Sequence, residues 1–75
     1  MTEGLRVHVR EAREKAGLTQ AELAAQMGVS RKTVNTVENG VFTPSTIVAL
    51  KFARALGRPV EALFALDDSD PGGAG

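Results

Sequence analysis

The segment Thr19–Glu38, TQAELAAQMGVSRKTVNTVE, most constrains the fold of this chain. It predicts two short helices joined by a tight turn, with each start and stop marked by a residue suited to that place. Thr19 is followed three residues later by Glu22, a capping box in which each side chain satisfies a backbone N–H that the first helical turn leaves unpaired. Leu23, Ala24 and Met27 recur at helical intervals and form one inner face, and Leu18, just outside the cap, can pack back onto it. Gly28 and Val29 carry the turn. Ser30 can cap the next helix, whose Val34 and Val37 lie one turn apart on the buried side, and Asn39-Gly40 ends it because both residues tolerate left-handed backbone. Ala24 and Gly28 are small, as a close approach of the two helices and a sharp turn between them require.

The flanks continue in the same style. Leu5, Val9, Ala12 and Ala16 have helical spacing and predict a first helix from Leu5 to Ala16, stopped by Gly17. A connection through Val41, Phe42, Thr43 and Pro44 leads to a fourth helix opened by Thr43 or Ser45 and running to Leu56 before Gly57. A short fifth helix is expected over about Pro59 to Leu66. No alternating strand pattern stands out, so the expected fold is all-α: a compact five-helix domain over residues 5–66, with a flexible N-terminus at 1–4 and a disordered acidic, Gly-rich tail at 67–75.

Seventy-five residues lie near the lower limit at which one core suffices unaided, and the chain has no cysteine to add a disulfide or a thiolate metal site. Apolar packing must hold the fold, and a second subunit would bury more of it. No run reaches membrane-spanning length and MTEGLRVHVR lacks a signal-peptide core, so a soluble cytoplasmic protein is expected. His8 is the only histidine and has no paired ligand, which argues against a metal; no cofactor is expected. Thr19, Ser30 and Ser45 read as caps, because no histidine–carboxylate arrangement supports nucleophilic catalysis.

The formal net charge is zero, but it is unevenly spread. All nine Lys and Arg residues lie between Arg6 and Arg58, whereas Asp67, Asp68 and Asp70 crowd the end; through Leu66 nine basic side chains face six acidic ones. That modest surplus suits phosphate only if the basic groups are well placed. The outer face of the third helix carries Arg31, Lys32, Asn35 and Thr36. Arg and Lys can donate to guanine O6 and N7, Asn can pair with adenine, and Thr can meet a thymine methyl or donate. Taken alone, these four residues would read as an ordinary solvated helix face. Their position in the second helix of a tight pair favours entry into a DNA major groove instead. Ser30 and the helix N-terminus can offer donors to a phosphate.

The ordered set GLTQAELAAQMGVSRKTVNTVENG and TPSTIVALKFARALGRPVEALF resembles the phage Cro and repressor class of helix-turn-helix regulators, also called the xenobiotic-response-element family, in its small stand-alone form. The likeness runs from Leu5 to Phe64, about four-fifths of the chain. It implies a homodimer that binds double-stranded operator DNA, usually as a repressor. By that resemblance Arg31, Lys32 and Thr36 match base-contacting positions, and Asn35 is a further base or backbone contact. Gln20 would touch a phosphate and brace the recognition helix, with Thr33 and Asn39, and the cap residues Thr19 and Ser30, completing the phosphate-contacting set. Arg13 and Glu38 match a structural ion pair tying the first helix to the end of the third. Pro59 departs from the family by replacing a common capping Ser, and Thr46 and Ile47 exchange the usual aliphatic and polar positions, which leaves the outer face of the fourth helix open.

Ala49, Phe52, Ala53 and Leu56 can face the core from that helix, while Ile47, Leu50 and Arg54 form a second ridge. With Val41, Phe42, Phe64 and Leu66 this ridge is the candidate dimer interface, the alternative being local packing against the loop and last helix. The rival functional reading is a protein-interaction module, such as an antitoxin or partner subunit, that retains the helix pair and acts with an unidentified protein partner.

Overall fold

The structure, a computed structural model, describes residues 4–67. The helices follow the caps. In α1 (Val9–Lys15), α2 (Gln20–Met27), α3 (Arg31–Glu38), α4 (Thr46–Leu56) and α5 (Val60–Leu63), three N-caps are side-chain caps. Thr19 accepts from the Glu22 N–H while Glu22 Oε1 accepts from the Thr19 N–H, Ser30 accepts from the Thr33 N–H, and Ser45 accepts from the Val48 N–H. Ser45, and not Thr43, therefore opens α4.

One core serves all five helices. Val9 and Ala12 of α1, Leu23, Ala24 and Met27 of α2, Val34 and Val37 of α3, Phe52 of α4 and Leu63 of α5 are buried together. Leu18 packs against this cluster from outside the α2 cap, and Ala49, Ala53 and Leu56 do so from α4. Phe52 lies at its centre, meeting Phe64 edge to face with ring centroids 5.9 Å apart. The fold is a compact all-α domain with the arrangement of a lambda-repressor-like helix-turn-helix protein.

Both ends of the helical domain differ from expectation. Gly4–Val7 form β1 and Phe64–Asp67 form β2, paired antiparallel with Leu5 opposite Leu66 and Val7 opposite Phe64. The first helix thus begins at Val9, not at Leu5, and the fifth ends at Leu63, not at Leu66. The ribbon also takes in Gly4 and Asp67, one residue beyond each predicted domain limit. Leu5, Val7 and Val9 fit an alternation of two as well as Leu5 and Val9 fit a helical four, and Phe64-Ala65-Leu66 is equally ambiguous. Pairing decides between them: each strand satisfies the other's backbone groups, and the His8 N–H donates to the Leu63 carbonyl at 2.8 Å where the ribbon meets α1 and α5. The rest of the expected tail, residues 68–75, and most of the expected flexible N-terminus lie outside the described residues.

The turn between α2 and α3 also differs in its reason. Gly28 has φ 72°, and nothing lies within 4 Å of where its Cβ would be. Glycine is needed there for left-handed backbone, not for a close helix approach. Ala24, buried at 3% exposure, is the residue that stands in the packed core.

Candidate nucleic-acid interface

Val34 and Val37 are fully buried, and this rotates the rest of α3 outward. Arg31, Lys32 and Asn35 are exposed and line one shallow concavity on that face. No ion pair among the described residues engages Arg31 or Lys32, so both charges are available to an anion. Thr36 is half-buried, and its hydroxyl donates to the Lys32 and Thr33 carbonyls at 2.9 and 3.2 Å. Its proton is used within its own helix, so Thr36 offers a methyl group and acceptor lone pairs, not the donor that the sequence allowed.

The far end of α3 is held by a polar network around Glu38, whose side chain has no exposure to solvent. Arg13 Nε donates to Glu38 Oε2 at 2.6 Å and Arg13 Nη2 to Oε1 at 3.2 Å, while Arg13 Nη1 reaches the Leu18 carbonyl at 2.9 Å. Gln20 Nε2 donates to Glu38 Oε1 at 3.1 Å and to Asn35 Oδ1 at 3.2 Å. Burial pushes the Glu38 carboxyl up, but the hydrogen bonds from Arg13, Gln20 and Arg10 and the Arg13 charge outweigh it and hold its pKa below the ordinary 4.5. The Arg13 guanidinium is correspondingly raised, mainly by its hydrogen bond to Glu38, against the opposing effect of burial. Both groups remain charged, and the carboxylate locks α1, α2 and α3 into one unit.

Gln20 therefore braces the third helix with both of its amide protons. A phosphate contact from Gln20 falls to its main-chain N–H, which lies in the first turn of α2 and has no partner within the helix. Ser30 and Thr33 sit together at the start of α3, their hydroxyl oxygens 3.0 Å apart. Thr19 is exposed at the start of α2. Asn39, just past α3, donates through Nδ2 to Asn35 Oδ1 at 3.2 Å.

Arg10 is a member of this network that sequence reasoning missed. Its Nη2 donates to Asn39 Oδ1 at 2.7 Å and its Nε approaches Glu38 Oε1 at 3.4 Å, with half of the side chain exposed. The available signal was its spacing: Arg10 stands three residues before Arg13, on the same face of α1.

The interface candidates divide in two. Val41, Phe42, Ile47, Leu50 and Leu66 expose from 49% to 77% of their surface, and Arg54 is exposed beside them. Phe64 is instead a core residue at 9% exposure, its ring packed edge to face on Phe52. It floors an open groove of about 250 Å³ whose walls include Leu5, Pro44, Ala49, Leu50 and Val60. Leu5, expected on the inner face of the first helix, is 37% exposed on the rim. Among the described residues no cluster of His, Cys, Asp or Glu could hold a metal ion, and no helix is long and apolar enough to cross a membrane.

Two helices joined by a left-handed glycine, the second presenting Arg31 and Lys32 without an ion-pair partner among the described residues, form a helix-turn-helix module. A family model described as helix-turn-helix matches residues 9–63, and the chain belongs to that family of DNA-binding regulators. It is 48% identical over 65 residues to an uncharacterized HTH-type transcriptional regulator of Methanothermobacter thermautotrophicus, covering 85% of this chain and 94% of that one. It is 36% identical over 62 residues to the Bacillus subtilis HTH-type regulator YgzD, with 83% and 94% covered. Among solved structures it resembles the restriction-modification controller protein C.AhdI of Aeromonas hydrophila, with a TM-score of 0.68 and 38% identity over 71% of this chain and 80% of that one.

Proposed function

We propose that this protein is a sequence-specific transcriptional regulator that binds double-stranded operator DNA as a homodimer in the cytoplasm and represses by occupying promoters. The observation that carries the reading is the outer face of α3, where Arg31 and Lys32 stand beside Asn35 with no ion-pair partner among the described residues while the opposite face is fixed in the core. Arg31 and Lys32 reach guanine edges or phosphates, Thr36 offers a methyl group to thymine, and Thr19, Gln20, Ser30, Thr33 and Asn39 align the module on the backbone. The exposed apolar surface of Val41, Phe42, Ile47, Leu50 and Leu66 supports self-association. A twofold dimer would set two recognition helices about 34 Å apart on an inverted repeat. The likeness to a restriction-modification controller protein fits a regulatory role.

Selection from a randomised duplex library at fixed salt tests this. Enrichment of one inverted repeat is expected, with binding lost in Arg31→Ala/Lys32→Ala at unchanged helicity. Weak, salt-sensitive binding without a motif would refute it. The same apolar surface also favours a second reading, a subunit that docks on another protein. Stoichiometric copurification of a different chain in place of self-association would support that one.

A further inference from the structure

Three amide side chains, Gln20, Asn35 and Asn39, meet between the start of α2 and the outer face of α3. The two ends of an amide are chemical opposites, one accepting and one donating. Two neighbours that cannot change role fix which end faces which way. The Glu38 carboxylate only accepts, so Gln20 turns its amino group to Oε1 at 3.1 Å. The Arg10 guanidinium only donates, so Asn39 turns its carbonyl oxygen to Nη2 at 2.7 Å. The amino groups of both Gln20 and Asn39 then point at one atom, Asn35 Oδ1, each at 3.2 Å. Reversing Asn35 would set its amino group against two others. Its carbonyl oxygen has both lone pairs engaged, and its Nδ2 has no partner among the described residues, on an exposed residue beside Arg31 and Lys32.

We infer that Asn35 reads DNA as a donor only, and that the base facing it in each half-site is guanine. The inference rests on the proposed DNA-binding function and names its specificity. An asparagine reads adenine by accepting from N6 and donating to N7 at once. Here the accepting half of that pair is consumed inside the protein. A lone amino group suits guanine best, because N7 and O6 are both acceptors. Thymine O4 offers one acceptor, the adenine N6 amino group opposes the incoming donor, and cytosine presents only a donor. Arg10 and Gln20 are positioning residues in this scheme: neither need touch the base, but together they hold the Asn35 oxygen inward.

The test compares duplexes selected by the wild type, by Asn35→Asp and by Arg10→Met/Gln20→Met from a randomised library at one salt concentration. The wild type should enrich guanine at one position per half-site and lose about tenfold in affinity when it is replaced by adenine. Aspartate keeps an oxygen for Gln20 and Asn39 but turns an acceptor outward, so Asn35→Asp should exchange guanine for cytosine there and leave the rest of the motif alone. Releasing the lock should admit adenine nearly as well as guanine. Adenine enriched by the wild type at a position that Asn35→Asp alters would overturn the inference and leave DNA recognition standing. A motif indifferent to Asn35→Asp, with native circular dichroism, would do the same. The absence of any motif would overturn both. If Asn35→Asp fails to fold, the wild-type choice between guanine and adenine decides alone.

Discussion

Replacing Arg13 by methionine should cost this domain about 3 kcal/mol, the lower end of what breaking a buried pair costs. The magnitude follows from what is left behind. Glu38 has no solvent exposure and its partner only 12%, so the carboxylate cannot recover hydration when the guanidinium goes. It would lose its two Arg13 contacts at 2.6 and 3.2 Å and keep Gln20 at 3.1 Å and the longer Arg10 contact at 3.4 Å. Those surviving donors keep the loss from reaching the upper end, near 5 kcal/mol. A domain of this length has a total stability of roughly 4–11 kcal/mol, so the change removes a large share of it. Urea unfolding followed by far-UV circular dichroism measures the loss directly. A double-mutant cycle with Glu38→Leu isolates the coupling, and the double variant should recover much of the stability because no buried charge remains unpaired. A loss below about 1 kcal/mol for Arg13→Met, the value of an exposed pair, would refute the reasoning.

Other consequences follow from the same geometry. The Glu38 pKa is lowered on folding, so its contribution is complete above its ordinary 4.5 and disappears as pH falls from there through the folded value. Acid unfolding of the wild type should therefore begin below about pH 4.5 and be shallower in Glu38→Gln, as thermal melts between pH 3 and pH 6 would show. Leu50→Asp, at a position 55% exposed, should leave the melting of the monomer within about 0.5 kcal/mol of wild type while shifting sedimentation from dimer to monomer; an unchanged oligomer would remove α4 from the interface. Gly28→Ala should cost about 1–2 kcal/mol from left-handed backbone alone, and Gly28→Asn less, whereas equal losses in urea melts would point to a steric cause that the open space there does not provide.

The sequence by itself determined the features that depend on near neighbours in the chain. The Thr19–Glu22 box and the Ser30 cap each act within a few residues, so residue type and spacing suffice to read them, whereas the choice of Ser45 over Thr43 and the left-handed role of Gly28 came from the structure. The inner faces of α2 and α3 were equally legible, since Leu23, Ala24, Met27, Val34 and Val37 keep one helical period without conflict. Tertiary structure alone decided the ribbon, because Leu5–Val7 and Phe64–Leu66 satisfy either period and only pairing across the whole chain selects the strand. It also moved Phe64 into the core, left Leu5 on a groove rim and brought Arg10 to Asn39, 29 residues away. The orientation of Asn35 lies furthest from the sequence. An asparagine on an exposed helix face can present either end, and here the Glu38 carboxylate of the same helix and the Arg10 guanidinium of α1 choose between them through the Gln20 and Asn39 amides.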